Sequence, residues 1–309
     1  MSDWTVDDIP DQAGRTALVT GANSGLGLAS AKALAAKGAR VLLGCRSPER
    51  GQAALAEVTA VATGVEPTLV ALDLSDLSSV DAAAEVVAST APRLDLLFNN
   101  AGVMAVPQGR TADGFETQFG TNHLGHFALT GRLLPLLLAA DAPRVVTTSS
   151  NVHKIGRIHW DDLDLQRRYG KWVAYCQSKL ANLLFTTELD RQAREHGGRL
   201  LAVAGHPGYA STHLQAVGPE LTGSRFMAWA MDFGNRHLGQ PADAGALPQL
   251  RAGTDPAVRS GQYYGPDGIA ERMGSPTLVK ARKKAYDPAA ARRLWGISVE
   301  RTGVTYDWG

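Results

Sequence analysis

A doubly wound α/β fold, in which helices cover both faces of one parallel sheet, is the fold class that this sequence predicts. Short, nearly continuous apolar runs alternate with helical patterns over residues 16–204, which is typical of strand–helix–strand units. No linker, internal repeat or low-complexity tract interrupts the alternation. A chain of 309 residues could hold two small domains, but the unbroken alternation favours one domain over residues 1–309.

Six apolar runs are predicted as strands, and a seventh strand is expected near residues 262–264. The six are Thr16–Thr20, Arg40–Gly44, Thr68–Leu72, Leu94–Phe98, Arg144–Thr148 and Leu200–Ala204. A first helix is expected from about Gly25 to Lys37, with Gly38 at its C-terminal cap. Ser47 is expected to cap the next helix, with Pro48 at its first position.

The bulk composition argues against several classes of partner. The 31 basic and 30 acidic residues give a formal net charge of +1, so neither a nucleic acid nor an anionic membrane surface is expected. Cys45 and Cys176, the two cysteines, do not make a disulfide framework and fit a reducing cytosol. The acidic N-terminus does not resemble a signal peptide, and the apolar stretch 133–140 is far shorter than the ~20 residues of a membrane span. We therefore expect a cytoplasmic protein without a membrane span.

A glycine-rich segment, Thr20–Gly27, follows the first predicted strand. Its glycines at 21, 25 and 27 match neither the common dinucleotide-binding spacing nor a P-loop, which would end in lysine and a hydroxyl residue. A tight turn that opens a helix lets the backbone approach a pyrophosphate and points the helix N-terminus at the anion. Taken alone, the segment would also fit a strand-to-helix turn without a ligand.

Further motifs follow the glycine-rich segment in a fixed order: Asn99–Gly102, Asn122, the pair Ser149–Ser150, and Tyr175–Lys179. Together they resemble the short-chain dehydrogenase/reductase family over roughly residues 14–215. The long connection before Tyr175, and the Cys176 that follows it, are similar to the retinol-dehydrogenase-like and WW-domain-oxidoreductase-like branch. The resemblance implies a Rossmann-type sheet, a cofactor half at about 14–150 and a catalytic and substrate half at about 151–309. It also implies hydride transfer between a nicotinamide and a carbonyl or alcohol.

The resemblance assigns catalysis to four residues: Asn122, Ser150, Tyr175 and Lys179. Tyr175 and Lys179 share one helix face, and the phenol would exchange a proton with the substrate oxygen. A free phenol has a pKa of about 10, and the neighbouring ammonium is expected to lower it. Ser150, the second serine of its pair, would donate to the carbonyl oxygen, and Asn122 would link Lys179 to solvent through water. By itself, the tyrosine–lysine spacing would more often mark the edge of an amphipathic helix.

The resemblance also implies a set of residues that contact the cofactor. They are Gly21, Asn23, Ser24, Gly25, Leu26, Gly27, Arg46, Asp73, Leu74, Asn100, Ala101, Gly102, Tyr175, Lys179, Pro207, Gly208 and Thr212. Two of these positions have plainer alternatives, since Asp73 could cap a short turn and Pro207–Gly208 could be an ordinary turn.

The end of the second predicted strand distinguishes the two nicotinamide cofactors. An acidic side chain there would bond the adenosine ribose 2′-hydroxyl group and repel a 2′-phosphate. Cys45 takes that place in this chain and Arg46 follows, and a guanidinium is well shaped to bind a phosphate. NADP(H) is therefore the expected cofactor. The alternative is that Arg46 is a solvated loop cation.

The segment after the sixth predicted strand, where the family selects its substrate, is rich in apolar residues. They are Leu214, Val217, Leu221, Phe226, Met227, Trp229, Met231 and Phe233. These residues would form either a helix that packs on the core or a pocket for an apolar aldehyde, ketone or alcohol. The eight histidines show no metal-ligand spacing, so no metal site is expected.

Two other functions stay open at this level. Light-dependent protochlorophyllide reductases share the glycine-rich opening and the tyrosine–lysine pair, and pigment-dependent photochemical turnover would identify one. The other is a regulatory protein that binds NADP without turnover, although such proteins usually lose the tyrosine or the lysine. NADPH oxidation with any carbonyl would exclude this second reading.

A homodimer is favoured by the helix that carries Tyr175. Leu180 and Leu184 share one side of this helix, whereas Leu183, Phe185 and Leu189 point elsewhere. A two-fold partner would cover the second side. Alternatively, the 151–172 connection covers that side and the protein is a monomer.

Overall fold

A computed structural model describes residues 3–209 and 241–309. These residues form an eight-stranded sheet in the order β3-β2-β1-β4-β5-β6-β7-β8. The strands are β1 (Thr16–Thr20), β2 (Arg40–Cys45), β3 (Thr68–Ala71), β4 (Leu96–Asn99), β5 (Arg144–Thr148), β6 (Leu201–Gly205), β7 (Tyr263–Pro266) and β8 (Pro276–Val279). Neighbouring strands are parallel up to β7, and β8 is antiparallel to β7. The predicted doubly wound α/β fold is confirmed.

The helices cover the two faces of this sheet. They are α1 (Gly25–Ala36), α2 (Pro48–Thr59), α3 (Leu77–Thr90), the short α4 (Thr117–Phe119), a π-helical segment (Gly120–Leu124), α5 (Gly125–Arg132), α6 (Leu134–Leu138), α7 (Lys171–Glu195), α8 (Ala242–Thr254) and α9 (Pro288–Thr302). Single 3₁₀ turns occur at Val6–Asp8, Asn151–Lys154, Ile269–Glu271 and Lys283–Tyr286.

Alternate side chains of each strand supply two separate cores. In β1, Val19 packs in one core with Leu34 of α1, whereas Leu18 packs in the opposite core with Phe185 of α7. Because both faces of the strand are buried, apolar residues stand at consecutive positions rather than at alternate ones.

The order of the strands creates the crevice in which the site lies. The chain builds β2 and β3 on one side of β1 and then crosses to place β4 on the other side. In open parallel sheets, ligands bind at the carboxyl ends of the strands where the order reverses in this way. The glycine-rich segment follows β1, and Asn99–Gly102 begins as β4 ends, so the two motifs meet at that reversal.

Most element boundaries agree with the prediction to within two residues. Ser47 caps α2 as expected, since its Oγ accepts from the Arg50 N–H at 3.3 Å. β4 starts two residues later than predicted, because the Leu94 N–H donates to the carbonyl of Leu136 rather than to a carbonyl group of a neighbouring strand. β8 was not predicted from the sequence. It is a four-residue edge strand that opens on proline, and it lacks the continuous apolar run by which the buried strands are recognised.

Helix α7 is buried on more than one side, as predicted, but within one chain. Leu180 and Leu183 pack with Leu294 of α9, while Phe185 and Leu189 pack in the core that includes β1 and β4. α9 therefore covers the side of α7 that we expected a dimer partner to cover. The homodimer stays a prediction, and the burial of α7 no longer supports it.

Two further expectations concern membrane spans and metal sites. Across residues 3–209 and 241–309, no helix is long and apolar enough to cross a bilayer. The same ranges hold no group of three or more histidine, cysteine, aspartate or glutamate side chains arranged to bind a metal ion. The apolar set from Leu214 to Phe233 lies outside the described residues.

Candidate active site

A cavity of about 470 Å³ collects the predicted site residues. Its lining includes all of them except Asn122, which is buried behind the wall, and Thr212, which lies outside the described residues. The cavity extends from Arg46, after β2, to Ser150, after β5. It therefore crosses the reversal of strand order.

The glycine-rich segment needs its glycines for backbone conformation and for space. Gly21 has a φ of +66° and Gly25 a φ of +52°, a region that L side chains rarely adopt. A Cβ atom on Gly27 would lie only 2.3 Å from the carbonyl oxygen of Gly21. Ser24 precedes α1, and its side chain caps no N–H group of the helix. The first turn of α1 therefore borders the cavity with its backbone donors uncapped by a side chain.

Thr20 and Asn100 tie the carboxyl ends of β1 and β4 together. The N–H groups of Asn100 and Ala101 both donate to Thr20 Oγ1 at 2.9 Å, and Asn100 Nδ2 donates to the Thr20 carbonyl at 2.8 Å. Asn100 thus holds the central sheet, as predicted, and Ala101 and Gly102 follow it along the cavity wall.

Gln249 of α8 is a supporting residue that the sequence analysis missed. Its Nε2 donates to Ser30 Oγ at 2.7 Å and to Asn100 Oδ1 at 3.2 Å, and its Oε1 accepts from Thr148 Oγ1 at 2.7 Å. One buried amide therefore joins α1, β4 and β5 beneath the cavity. The only feature of the sequence that could have indicated this role is the position of a glutamine within the largely apolar stretch 245–250.

The end of the cavity next to β2 is basic. Arg46 and Arg50 both line it. Arg50 lies about one turn further along the chain, in α2, and was not predicted from the sequence as a site residue. Cys45 is buried, and burial raises the pKa of its thiol to about 11. The group at the position of the usual acidic residue is therefore neutral. Two guanidinium groups beside a neutral thiol favour an anion at this end.

Asp73 makes the contacts of a turn-capping residue. Its Oδ1 accepts from the Ser75 N–H at 2.9 Å and from Ser75 Oγ at 2.6 Å, as a turn-capping residue does. The residue also lines the cavity together with Leu74.

The two serines after β5 point to different partners. Ser149 Oγ donates to the backbone carbonyl of Lys179 at 2.8 Å, so its hydroxyl is engaged with α7. Ser150 Oγ accepts from the Val152 N–H at 3.4 Å, and Ser150 is close enough to Tyr175 to act on the pKa of its phenol. This proximity supports the choice of Ser150.

The protonation of Tyr175 differs from the sequence-based expectation. Lys179 Nζ lies 5.8 Å from the centroid of the phenol ring and donates to the Thr148 carbonyl at 3.2 Å. Burial raises the pKa of Tyr175 to about 12, and the hydrogen bond with Ser150 acts in the opposite direction. Burial also lowers the pKa of Lys179 to about 8. The expected lowering of the Tyr175 pKa is therefore wrong for the free protein, because burial disfavours the charged phenolate and has the largest effect.

Asn122 lies in the π-helical segment between α4 and α5, where the regular helix is locally distorted. Its Oδ1 accepts from the Val103 N–H at 2.8 Å, and its Nδ2 donates to the Val103 carbonyl and to Ser178 Oγ, each at 2.9 Å. Its backbone carbonyl lies 3.0 Å from His126 Nδ1. The side chain thus fixes the strand-exit loop after Gly102 against α7.

Pro207 and Gly208 line the cavity after β6. Gly208 has a φ of +66°, and a Cβ atom there would lie 2.3 Å from the Arg272 carbonyl oxygen. Its N–H donates to His206 Nδ1 at 3.2 Å. The turn is therefore packed against the segment around residue 272, and its shape depends on glycine.

Several lining residues have the chemistry to hold a dinucleotide. The N-terminus of α1 could hold a pyrophosphate, Arg46 and Arg50 could bind an anionic group at one end, and Lys179 lines the other end. A side chain on Gly27 would collide with the Gly21 carbonyl oxygen and with Asn100 Nδ2, two residues that line the cavity.

Comparison with known proteins bears directly on this site. The family model described as short chain dehydrogenase matches residues 15–220. Human retinol dehydrogenase 11 is 39% identical over 295 residues, which is 95% of this chain and 87% of the relative. A short-chain dehydrogenase/reductase from Armillaria gallica is 40% identical over 304 residues, covering 94% of this chain and 91% of the relative.

Solved structures of other proteins are also similar to this chain. An uncharacterized protein from Mycobacterium paratuberculosis superposes with a TM-score of 0.80 at 39% identity, covering 99% of this chain and all of the other. A short-chain dehydrogenase from Escherichia coli CFT073 in complex with NADPH superposes with a TM-score of 0.62 at 28% identity, covering 82% of this chain and 97% of the other.

Proposed function

Because the chain belongs to the short-chain dehydrogenase family, in its retinol-dehydrogenase-like branch, we propose that it is an NADP(H)-dependent oxidoreductase of an apolar carbonyl compound and its alcohol. The observation that carries the proposal is one cavity with Arg46 at one end and Ser150, Tyr175 and Lys179 at the other. A nicotinamide bound there would supply or accept the hydride.

Tyr175 acts as the proton donor in carbonyl reduction. Since burial raises its pKa to about 12, the phenol carries its proton at neutral pH and donates it to the substrate oxygen as negative charge develops there. Oxidation of an alcohol would need the phenolate instead, which this environment disfavours. Burial thus favours the protonated phenol, which is the form that carbonyl reduction requires.

Ser150, Lys179 and Asn122 support that transfer in different ways. The Ser150 hydroxyl, which lines the cavity together with Tyr175, donates to the carbonyl oxygen and fixes it beside the tyrosine. Lys179, whose pKa burial lowers to about 8, carries a positive charge in most molecules at neutral pH and bonds the nicotinamide ribose. Asn122 acts as a positioning residue, since it joins α7 to the loop at Val103 through three hydrogen bonds.

The preference for NADP(H) rests on the basic end of the cavity. Arg46 and Arg50 offer two guanidinium groups to a 2′-phosphate, and the neutral thiol of Cys45 exerts no charge repulsion on it. The Escherichia coli relative holds NADPH, which supports the same preference by analogy.

The preference for an apolar substrate rests on the wall near Tyr175. Val103, Met104, Val152 and Trp172 line the cavity at this end. Such a wall gains free energy by covering apolar substrate surface and offers little to a charged substrate.

A screen for NADPH oxidation over aldehydes, ketones and quinones tests the proposal. We expect turnover with apolar carbonyls, a kcat/KM at least tenfold higher with NADPH than with NADH, and loss of turnover in Tyr175→Phe. Equal use of the two cofactors would contradict the NADP assignment, and turnover that survives in Tyr175→Phe would contradict the catalytic assignment.

We further propose a cytoplasmic location. Both cysteines are buried and free, which suits a reducing compartment. Fractionation of cells that express the intact chain, with detection by antibody, would test this, and recovery in the membrane fraction would contradict it.

A further inference from the structure

Trp172 is a large apolar side chain that stands uncovered inside the cavity. Its residue is 48% exposed, although it lines the cavity together with Tyr175. Isolated apolar side chains on a convex surface need no explanation. An indole in the concave wall of a substrate cavity is different, because a bound ligand would cover it.

The position of Trp172 relative to Tyr175 is fixed by the helix. The two residues are three positions apart near the start of α7, a spacing that places side chains on one face. Their rings are T-shaped, with centroids 6.2 Å apart and an interplanar angle of 75°. A group joined directly to a carbonyl carbon at Tyr175 would therefore lie next to the indole.

The surroundings of the indole select for a flat apolar group. Val103, Met104 and Val152 line the same cavity, and methionine adapts its shape to an aromatic edge. The contact of the Trp172 indole with Tyr175 is an aromatic one. Aromatic pairs gain free energy beyond that of the buried area alone.

From this geometry, and resting on the proposed function, we infer that Trp172 determines specificity and that the substrate carries an aromatic ring bonded directly to its carbonyl carbon. The indole contacts that ring while Ser150 and Tyr175 bond the oxygen. Trp172 makes no contribution to proton transfer, so its effect falls on substrate binding.

The test compares benzaldehyde with cyclohexanecarbaldehyde, two aldehydes of similar size of which only the first has an aromatic ring, at saturating NADPH. In Trp172→Leu, kcat/KM for benzaldehyde should fall about three- to tenfold relative to that for cyclohexanecarbaldehyde, mainly through KM. Trp172→Phe should retain most of the ratio. The KM for NADPH should change less than twofold in both variants.

Val173→Ala is the matched control. Val173 is the next residue of α7 and is 45% exposed, but it does not line the cavity, so the ratio of the two aldehydes should not change. An equal fall for both aldehydes in Trp172→Leu, or an unchanged ratio, would overturn the inference and leave the proposed function intact. Absence of turnover of every carbonyl by the unmodified protein would overturn the proposed function, and the inference with it.

Discussion

His206 and Glu271 meet next to the cavity, with His206 Nε2 3.1 Å from Glu271 Oε2. The same carboxylate oxygen lies 2.9 Å from Lys154 Nζ. Because His206 Nδ1 accepts from the Gly208 N–H, the imidazole proton is on Nε2, the atom that lies next to the carboxylate. Glu271 holds a φ of +55°, a conformation that costs a non-glycine residue of order 1–3 kcal/mol. The pair thus connects a strained turn to the Pro207–Gly208 wall of the site.

Glu271→Ala should destabilise the protein more than Glu271→Gln. Alanine removes the carboxylate oxygen that lies 3.1 Å from the buried His206 Nε2, whereas glutamine keeps an oxygen there. A buried N–H group with no polar neighbour costs about 1–3 kcal/mol. Urea unfolding measures the difference, with the exposed Glu300 of α9 replaced by alanine as the control. Equal stability of the two Glu271 variants would show that the contact contributes nothing.

The free energy of unfolding should decrease as the pH falls from about 6.5 to about 4. Four buried histidines set this pH range. Burial lowers the pKa of His123 to about 3 and those of His126 and His153 to about 4, and it lowers the pKa of His206. In this range the unfolded chain binds protons that the folded protein does not, so the free energy of unfolding decreases as protons are added.

Each histidine contributes a slope of roughly 1.4 kcal/mol per pH unit within its own range. Urea unfolding at several pH values, with scattering to exclude aggregation, measures the slope. A free energy of unfolding that is constant from pH 6.5 to 4.5 would contradict the burial of neutral imidazoles.

Tyr175→Phe should retain the fold and cofactor affinity but lose turnover. The ring keeps its contact with Trp172, and only the hydroxyl that would donate the proton is removed. General acid catalysis contributes about 10²- to 10⁴-fold, so kcat should fall by at least that range. Titration of NADPH fluorescence should show a Kd within about twofold of the unmodified protein; a large loss of affinity would mean that the variant had altered the cavity instead.

Arg46→Ala should weaken NADPH binding and leave NADH binding nearly unchanged. A hydrogen bond to a charged group contributes roughly 1.5–3 kcal/mol, which is about tenfold or more in Kd. Arg50→Ala should act in the same direction, because both side chains line this end of the cavity. Arg292→Ala, an exposed position on α9, changes the net charge by the same amount and should leave both affinities unchanged. An unchanged Kd for NADPH in Arg46→Ala would show that Arg46 does not bind the 2′-phosphate and is a solvated loop cation.

The sequence predicted those parts of the site that depend on local pattern. The strand positions followed from apolar runs, and the glycine segment, the serine pair and the tyrosine–lysine spacing placed most of the cavity lining. The contribution of Gln249 could not be predicted, because it depends on α8 packing against α1, Asn100 and β5, which are distant from it in sequence. The raised pKa of Tyr175 could not be predicted either, since spacing shows that Lys179 is near but does not show how much solvent the fold removes.

Gly27→Ala should disrupt the site, whereas Gly296→Ala should stabilise the protein. A Cβ atom on Gly27 would lie 2.3 Å from the Gly21 carbonyl oxygen and 2.7 Å from Asn100 Nδ2. Backbone and a buried amide must therefore move, and overpacking of this kind costs roughly 1–3 kcal/mol. Gly296 lies inside α9, and a Cβ atom there meets no atom within 4 Å.

Alanine is favoured over glycine in a helix by about 0.5–1 kcal/mol, so Gly296→Ala should raise the midpoint of urea unfolding and leave the Kd for NADPH unchanged. Gly27→Ala should lower the midpoint and raise that Kd more than tenfold, because the added methyl group displaces the Gly21 and Asn100 groups at the entrance to α1. A Gly27→Ala protein that binds NADPH normally would place the phosphates away from this turn. The two substitutions are the same in chemistry, so any difference between them comes from the space that the fold leaves at each glycine.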